Sequence, residues 1–424
     1  MQDIKFIIEN PERVKTGAKN KNIHCEIDKI VNLYEEWKTL TREIEQIKAT
    51  QNSASQNIAK ASPDEKAKLL EEMSALKEKS KSIEEKITPL EVEIDALASR
   101  VPNPALDSTP VGKDESENQV VKTYGEKPNF TFTAKDHIAL SKDLDIIDTE
   151  TASKVSGTRF YYLKNEGALL ELALIQFVMQ KLHSKGFTTI IPPVLVRENA
   201  MYSTGFFPAD KNEIYEVNAD EDKLFLIGTS EVPLAMLHAD QILNEYELPK
   251  RYCAFSPCFR REAGSYGKDT AGITRVHQFN KVEMFSFTHP DKSEEEHELL
   301  VSIEEEIFND LGLHFQKILM CTGDIGVPAA KKYDLEAWIP SQEKFREITS
   351  CSNCTDFQAR RGKSKFKDEN GNKAYVHTLN GTGIALPRAV IAILENYQNE
   401  DGTVTIPEIL RPYMGGISKI EKKQ

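Results

Sequence analysis

From Ile30 onward the apolar positions keep a fixed step. Ile30, Leu33, Trp37, Leu40, Ile44 and Ile47 are spaced by 3, 4, 3, 4 and 3 residues. A second run, Leu69, Met73, Leu76, Ser80, Ile83, Ile87, Leu90, Ile94 and Leu97, alternates fours and threes with Ser80 as its one polar member. Such alternation is a coiled-coil seam. The polar stretch Gln51 to Asp64 separates the runs, which predicts two helices folded back into an antiparallel hairpin. Each should hold about 20 to 30 residues and reach roughly 30 to 45 Å. Pro63 suits the first turn of the second helix behind a Ser62 cap. Pro89, inside that helix, is expected to kink it or thin its hydrogen bonding near Glu85.

After Leu97 the heptads stop. Val101-Pro102-Asn103-Pro104 through Pro110-Val111-Gly112 reads as a stiff, Pro-rich linker. The spacing thus divides the chain into a helical arm over 1–101, a linker over 102–112 and a second domain over 113–424. In the second domain, strands are expected at Leu224 to Ile227, Tyr252 to Glu262, Val276 to Phe287, Phe315 to Met320, Asp334 to Ile339, Arg346 to Thr349 and Ala374 to Leu379. Phe187 to Val196 reads as an edge strand interrupted by Pro192-Pro193. Helices are expected at Gly167 to Lys185, Glu294 to Leu311 and Ile384 to Tyr397. Strands dominate with few crossover helices, so an α+β domain built on an antiparallel sheet is favoured over a doubly wound parallel one.

Charge narrows the function classes. The 424 residues hold 54 Lys and Arg against 67 Asp and Glu, a net charge of −13. This excludes a general DNA-coating protein, which needs a basic surface to neutralise phosphates. A local basic groove on an acidic body is compatible with it. The arm is itself acidic, so any contact with RNA must use one face or the tip, where Lys48, Lys60, Lys66 and Lys68 lie. The first residues carry Asp3, Lys5, Glu9, Glu12 and Arg13, which is not an export signal. The most apolar stretch, Ala168 to Met179, is too short for a membrane span. Six cysteines in a chain of this length make no disulfide scaffold and point to a reducing, cytoplasmic setting. Cys351/Cys354 and Cys253/Cys258 read as buried thiols and not as a zinc site.

Four segments carry candidate chemistry. Phe259-Arg260-Arg261-Glu262-Ala263-Gly264 leads into the loop Gly264 to Gly272 and returns as Arg275-Val276-His277-Gln278-Phe279, followed by Lys281-Val282-Glu283. On strands Arg260 and Glu262 would share a face, as would Arg275, His277 and Phe279. A cation, an acceptor and a flat ring on one surface suit a nucleotide. At Arg346 to Ser350, Glu347 and Thr349 are expected on one face, a carboxylate and a hydroxyl able to share a hard cation. Leu379-Asn380-Gly381-Thr382-Gly383 reads as a strand entering a small-residue turn. Arg388 then falls in the first turns of the next helix, where the dipole does not favour it and an anionic partner is needed. Gly228-Thr229-Ser230-Glu231 reads as a strand end followed by a helix N-terminus. Each of these, alone, is equally what an ordinary surface hairpin, strand or cap presents.

Their order is more telling. A heptad hairpin precedes a Pro-linked α+β domain. That domain holds, in sequence, a strand with Pro193, Thr229–Glu231, Phe259–Gly264, Arg275–Glu283, Glu347–Cys354 and Asn380–Arg388. This order closely resembles the bacterial-type seryl-tRNA synthetases of class II, over essentially the whole chain. The resemblance implies a six- or seven-stranded antiparallel catalytic sheet, a homodimer, and an arm that reaches tRNA. It also implies ATP and Mg²⁺ as cofactors, and L-serine and serine tRNA as partners, with selenocysteine tRNA a further candidate. By that match Arg260 binds the α-phosphate and the serine carboxylate, Glu262 the adenine amino group and Arg388 the γ-phosphate. Val276 contacts ATP through its backbone and Phe279 stacks on the base. Arg261, Ile348 and Thr349 complete the nucleotide site, and Glu347 and Ser350 hold Mg²⁺. Serine lies against Thr229, Ser230, Glu231, Arg260, Glu283 and Thr382. Two departures stand out: Pro387 precedes Arg388, and Thr382 stands where many relatives carry Ser.

Overall fold

The computed structural model describes residues 3–58, 62–218, 221–263 and 271–422. It divides into two compact units, Met1–Pro104 and Ala105–Gln424.

The first unit opens with short helices at Ile4–Glu9 and Pro11–Asn20, followed by two long helices, Ile27–Ile58 and Pro63–Ala98. They pack against each other along the expected seam. Ile44, Ile47 and Ile83 form its buried centre, flanked by Leu40, Leu76 and Ile87. Ser80 is buried in the same seam. The edges are laced by Lys29–Glu93 at 2.7 Å, Lys79–Glu43 at 2.7 Å and Lys48–Glu84 at 3.4 Å. Trp37 Nε1 donates to Glu91 at 3.0 Å. The helices hold 32 and 36 residues, longer than the seam alone predicts. The polar stretch after Ile47 stays helical to Ile58 because Gln, Ala and Ser tolerate the conformation, and Ser55 Oγ bonds back to the Gln51 carbonyl at 2.8 Å. The second helix runs through Pro89 without ending. Lys66 and Lys68 are exposed, and Lys60 lies outside the described residues.

Of the stretch expected as a linker, residues from Ala105 onward belong to the second unit. Leu106 N and Thr109 Oγ1 both donate to the Ala330 carbonyl, at 2.9 and 2.8 Å.

The second unit is built on one large sheet, beside which lie, among the described residues, four small sheets of two or three strands, one of them holding the strand Leu224–Leu226. In chain order the strands of the large sheet are β1 (Gln119–Tyr124), β2 (Thr188–Ile190), β3 (Lys250–Phe259), β4 (Gln278–Thr288), β5 (Phe315–Leu319), β6 (Lys331–Ile339), β7 (Lys344–Asn353) and β8 (His377–Ala385). Their spatial order is β1-β5-β6-β7-β8-β4-β3-β2. Every pair is antiparallel except β2 with β3. The sheet has eight strands and not six or seven, because β1 and the three-residue β2 extend its two edges. Pro192-Pro193 lies just outside β2, one residue past its end, as an edge allows.

Helices Asn165–Ser184, Ser293–Asp310 and Leu386–Asn396 cover one face and share a core with Val282, Met284, Leu335 and Ile384. The alternate residues of β4, Phe285 and Phe287, belong to a separate core on the other face. Asn380-Gly381-Thr382-Gly383 is not a turn: β8 runs through it to Ala385. The glycines are there for space. A Cβ on Gly381 would sit 3.0 Å from both Glu304 Oε1 and Met284 Cε, and one on Gly383 would sit 3.1 Å from Val178 Cγ1. No helix among the described residues is long and apolar enough to cross a membrane.

Candidate active site

Two bulges shape the centre of the sheet. Between β6 and β7, Leu335 faces Thr349 and Glu336 faces Glu347, so Ile348 is an extra residue. Between β4 and β8, Val282 faces Ile384 and Glu283 faces Thr382, so Gly383 is extra. Each bulge re-aims the residues beside it. The β7–β8 ladder stops at Cys351 and Gly381. Past that point the two strands border a cavity of about 80 Å³ lined by Arg260, Glu262, Val276, Phe279, Lys281, Glu347, Ile348, Ser350, Thr382 and Arg388, among others. Glu347, Ile348, Arg275 and Arg388 also line a larger hollow of about 580 Å³ that reaches Lys332 and Asp334.

Arg260 is set just past the end of β3. Its backbone N–H donates to the His277 carbonyl at 3.0 Å, its Nε donates to the Gly228 carbonyl at 3.2 Å, and its guanidinium lies 5.2 Å from the Phe279 ring centre. Arg260 and Glu262 do not share a strand face, since β3 ends at Phe259 and Glu262 is left-handed at φ 49°. Glu262 reaches the cavity from that turn instead, and Arg275 Nη1 donates to its Oε2 at 3.0 Å. Arg261 is exposed and lines neither cavity. Gly264 and the loop through 270 lie outside the described residues.

The bulge at Ile348 breaks the expected pairing of Glu347 with Thr349. Thr349 is buried on the helix side, where its Oγ1 donates to Glu304 Oε2 at 2.7 Å. Glu347 and Ser350 are the carboxylate and hydroxyl that meet at the cavity. The Glu347 side chain is 42% exposed to the cleft. Burial works to raise its pKa, but Arg388 and then Lys332 outweigh that and hold it at about 2. Asp334, across the hollow, is pushed up to about 7 by burial against the pull of Lys332.

A polar network lies at the inner end. Lys281 Nζ donates to Thr229 Oγ1 at 2.8 Å, and that hydroxyl donates to Glu283 Oε2 at 3.0 Å. Lys281 and Glu283 are also ion-paired, both buried. Glu283 sits opposite Thr382 across β4 and β8. Glu231 N donates to Thr229 Oγ1 at 3.2 Å, and Glu231 Oε1 accepts from Gln358 and Asn380. Burial first and the Glu283 charge second raise the Glu231 carboxyl to about 7. Ser230 is turned away, its hydroxyl 2.6 Å from that of Ser256. Cys253, Cys258, Cys351 and Cys354 are buried free thiols.

The family model described as "Seryl-tRNA synthetase N-terminal domain" matches residues 1–105, and "tRNA synthetase class II core domain (G, H, P, S and T)" matches 215–397. The chain is 44% identical to a serine–tRNA ligase of Treponema denticola, over 98% of this chain and 99% of that protein. The chain belongs to the seryl-tRNA synthetase family. A second family member, the serine–tRNA ligase of Bdellovibrio bacteriovorus, is 44% identical over the full length of both chains. The crystal structure of seryl-tRNA synthetase from Pyrococcus horikoshii complexed with ATP is 42% identical, covers all of both chains and superposes with a TM-score of 0.94. The cytoplasmic serine–tRNA ligase of Naegleria fowleri, crystallised with AMP, is 32% identical with a TM-score of 0.89.

As a member of this family the chain is a ligase of the serine–tRNA class, with the class II core on an antiparallel sheet and a helical N-terminal arm. Arg275 was placed beside Phe279 on the candidate hairpin, whereas Lys281, Gln358 and Asn380 are polar side chains of the site to which the sequence reading gave no role. For Lys281 a signal existed: Phe279, Lys281 and Glu283 alternate on one strand. Gln358 and Asn380 gave none, because their partner is 127 and 149 residues away.

Proposed function

We propose that the chain joins L-serine to the 3′ end of serine tRNA through a seryl-adenylate made from ATP. The observation that carries this reading is the convergence of Arg260, Phe279, Glu347 and Arg388 on one cavity that also takes in Lys281 and Thr382. The ATP named for the Pyrococcus relative supports it.

In the first step a serine carboxylate oxygen attacks the α-phosphorus, and pyrophosphate leaves. The carboxylate is already the nucleophile, so no protein base is required. Positioning and positive charge are what the residues must supply. Arg260 is assigned to the α-phosphate and the serine carboxylate, and Arg388 to the γ-phosphate. Phe279 stacks on adenine, Glu262 accepts from its amino group and the Val276 backbone contacts ATP. The donor set fits a hard ion: an ionised Glu347 carboxylate and the Ser350 hydroxyl are too few for a protein-only cage, which suits Mg²⁺ sharing phosphate oxygens and water. Held by Glu347 and Ser350, Mg²⁺ would neutralise phosphate charge. In the second step a ribose hydroxyl of the tRNA terminus attacks the activated carbonyl, and AMP leaves.

Serine selection is assigned to Thr229, Glu231, Glu283 and Thr382. Glu283 and Thr382 face each other and are both buried, so a substrate lacking the hydroxyl leaves polar groups unpaired. Threonine is excluded by size. The arm, 1–101, is assigned to tRNA. A homodimer, a cytoplasmic location and charging of selenocysteine tRNA belong to the same reading.

The test is pyrophosphate exchange into ATP by the purified protein, run with each amino acid in turn. Exchange should depend on serine. None at saturating serine and Mg²⁺ would contradict the reading.

A further inference from the structure

Gln358 lies in the six-residue helix Phe357–Gly362, only 3% exposed, between β8 and the helices Glu198–Thr204 and Glu231–Ala235 that carry its partners. Its amide is almost fully used. Nε2 donates to Glu231 Oε1 at 2.6 Å and to the Thr204 carbonyl at 3.3 Å, while Oε1 accepts from the Thr378 hydroxyl at 2.8 Å. The surroundings dictate which way the amide points. Flipped, its oxygen would face a carboxylate and a carbonyl, two acceptors with no proton between them. Asn380 Nδ2 donates to the same Glu231 Oε1 at 3.0 Å. Both amides therefore load one oxygen of Glu231. Among the described residues no hydrogen bond falls on the other oxygen, Oε2, which makes it the atom free to take a substrate donor or a proton.

We infer that Gln358 is a positioning residue for serine binding: pinned by Thr378, it fixes the Glu231 carboxyl so that Oε2 alone is offered to the substrate ammonium. The inference rests on the function proposed above. The charged groups facing Glu231 are Glu283 and Lys281 from β4 and Arg260 beyond β3. Because burial and Glu283 hold the carboxyl at about 7, a donor lost from Oε1 tips it toward the neutral form at neutral pH.

The experiment is serine-dependent pyrophosphate exchange by the full chain as wild type and Gln358→Met, with steady-state constants measured from pH 6 to 9. Gln358→Met should raise the serine KM at least tenfold and leave the ATP KM within twofold. It should also move the acid limb of the serine kcat/KM profile to higher pH by roughly one unit. A purely structural role would depress both substrates together and leave the limb in place. A folded Gln358→Met with unchanged serine KM and an unmoved limb overturns the inference. Should that variant not fold, Thr378→Val releases the pin while keeping Gln358. It should change the serine KM and the limb in the same directions by a smaller factor, and no change in either overturns the inference. A wild type without serine-dependent exchange defeats the proposed function itself, a result distinct from either variant's failure.

Discussion

Arg388 grips Glu347 at two points. Its Nη1 donates to the Glu347 carbonyl at 2.9 Å and lies 3.1 Å from the carboxylate Oε2 of the same residue. An arginine in the first turns of the Leu386–Asn396 helix is unfavourable to the helix dipole, and this double contact to the bulged β7 is its local compensation. The pair brings a guanidinium and an ionised carboxylate side by side at the mouth of one cavity.

Arg388→Ala should therefore lower the rate of pyrophosphate exchange by about 100-fold or more, the usual loss when an electrostatic stabiliser is removed. It should also release Glu347 from its value of about 2, letting burial raise it. Wild-type exchange should show no loss from Glu347 protonation between pH 8 and 5. Protonation of Glu231 near 7 lowers exchange in both proteins, so it is the ratio of variant to wild-type exchange that should fall as pH drops through the ordinary carboxylate range. A variant with wild-type rates would remove Arg388 from the reaction.

Lys281 and Glu283 form a buried ion pair, and each member also bonds the Thr229 hydroxyl. Removing one member leaves an uncompensated charge in the core. Lys281→Met should cost about 3 kcal/mol of stability and abolish serine-dependent exchange. Lys281→Met combined with Glu283→Gln should recover most of the lost stability without recovering exchange. Thermal unfolding and exchange rates measured on both proteins decide it; equal stability of the single and double variants would mean the pair is not coupled as the geometry requires.

Much of this architecture was legible because its signals are local. The arm is written in a repeat that needs only neighbouring residues, and Ile44, Ile47 and Ile83 fall in its seam as spaced. The edge position of Thr188–Ile190 follows from two adjacent prolines. The small-residue run at Asn380 to Gly383 was misread as a turn because glycine is the usual mark of one. Here it answers a crowd of side chains, Glu304, Met284 and Val178, that only the folded sheet assembles. The bulge at Ile348 was equally hidden, since an extra residue is defined by the register of the partner strand. That single residue sends Thr349 to the helix layer and Ser350 to the cavity, reversing the alternation expected of a regular strand.

Glu304 lies on that helix layer, fully buried, with Thr349 donating to its Oε2 and its Oε1 without a hydrogen-bond partner. Burial pushes its carboxyl well above the ordinary value. The unfolded chain then loses this proton at a lower pH than the folded one. Stability from this group is full below the unfolded value and declines as pH rises toward the folded value. Glu304→Gln, which cannot ionise, should flatten that decline. The urea midpoint of the wild type should fall between pH 5 and pH 8 by more than that of the variant. Parallel pH dependences would show that Glu304 does not govern the slope.

The arm and the sheet are separate compact units. Each of the cavity residues from Arg260 to Arg388 belongs to the second unit. Adenylate formation needs only that cavity. Transfer needs tRNA to be held, and the arm carries exposed Lys66 and Lys68 toward its tip on a body of net negative charge. Deleting residues 27–97 should leave serine-dependent pyrophosphate exchange within about threefold of wild type and reduce aminoacylation of serine tRNA at least 100-fold, as loss of a whole binding surface should. Adding salt should weaken aminoacylation by the intact chain more than exchange, because phosphate contacts release counterions and serine contacts do not. If the deletion silences both reactions equally in a protein that remains folded, the arm is not a separate RNA-reading element, and the division of labour between the two units fails.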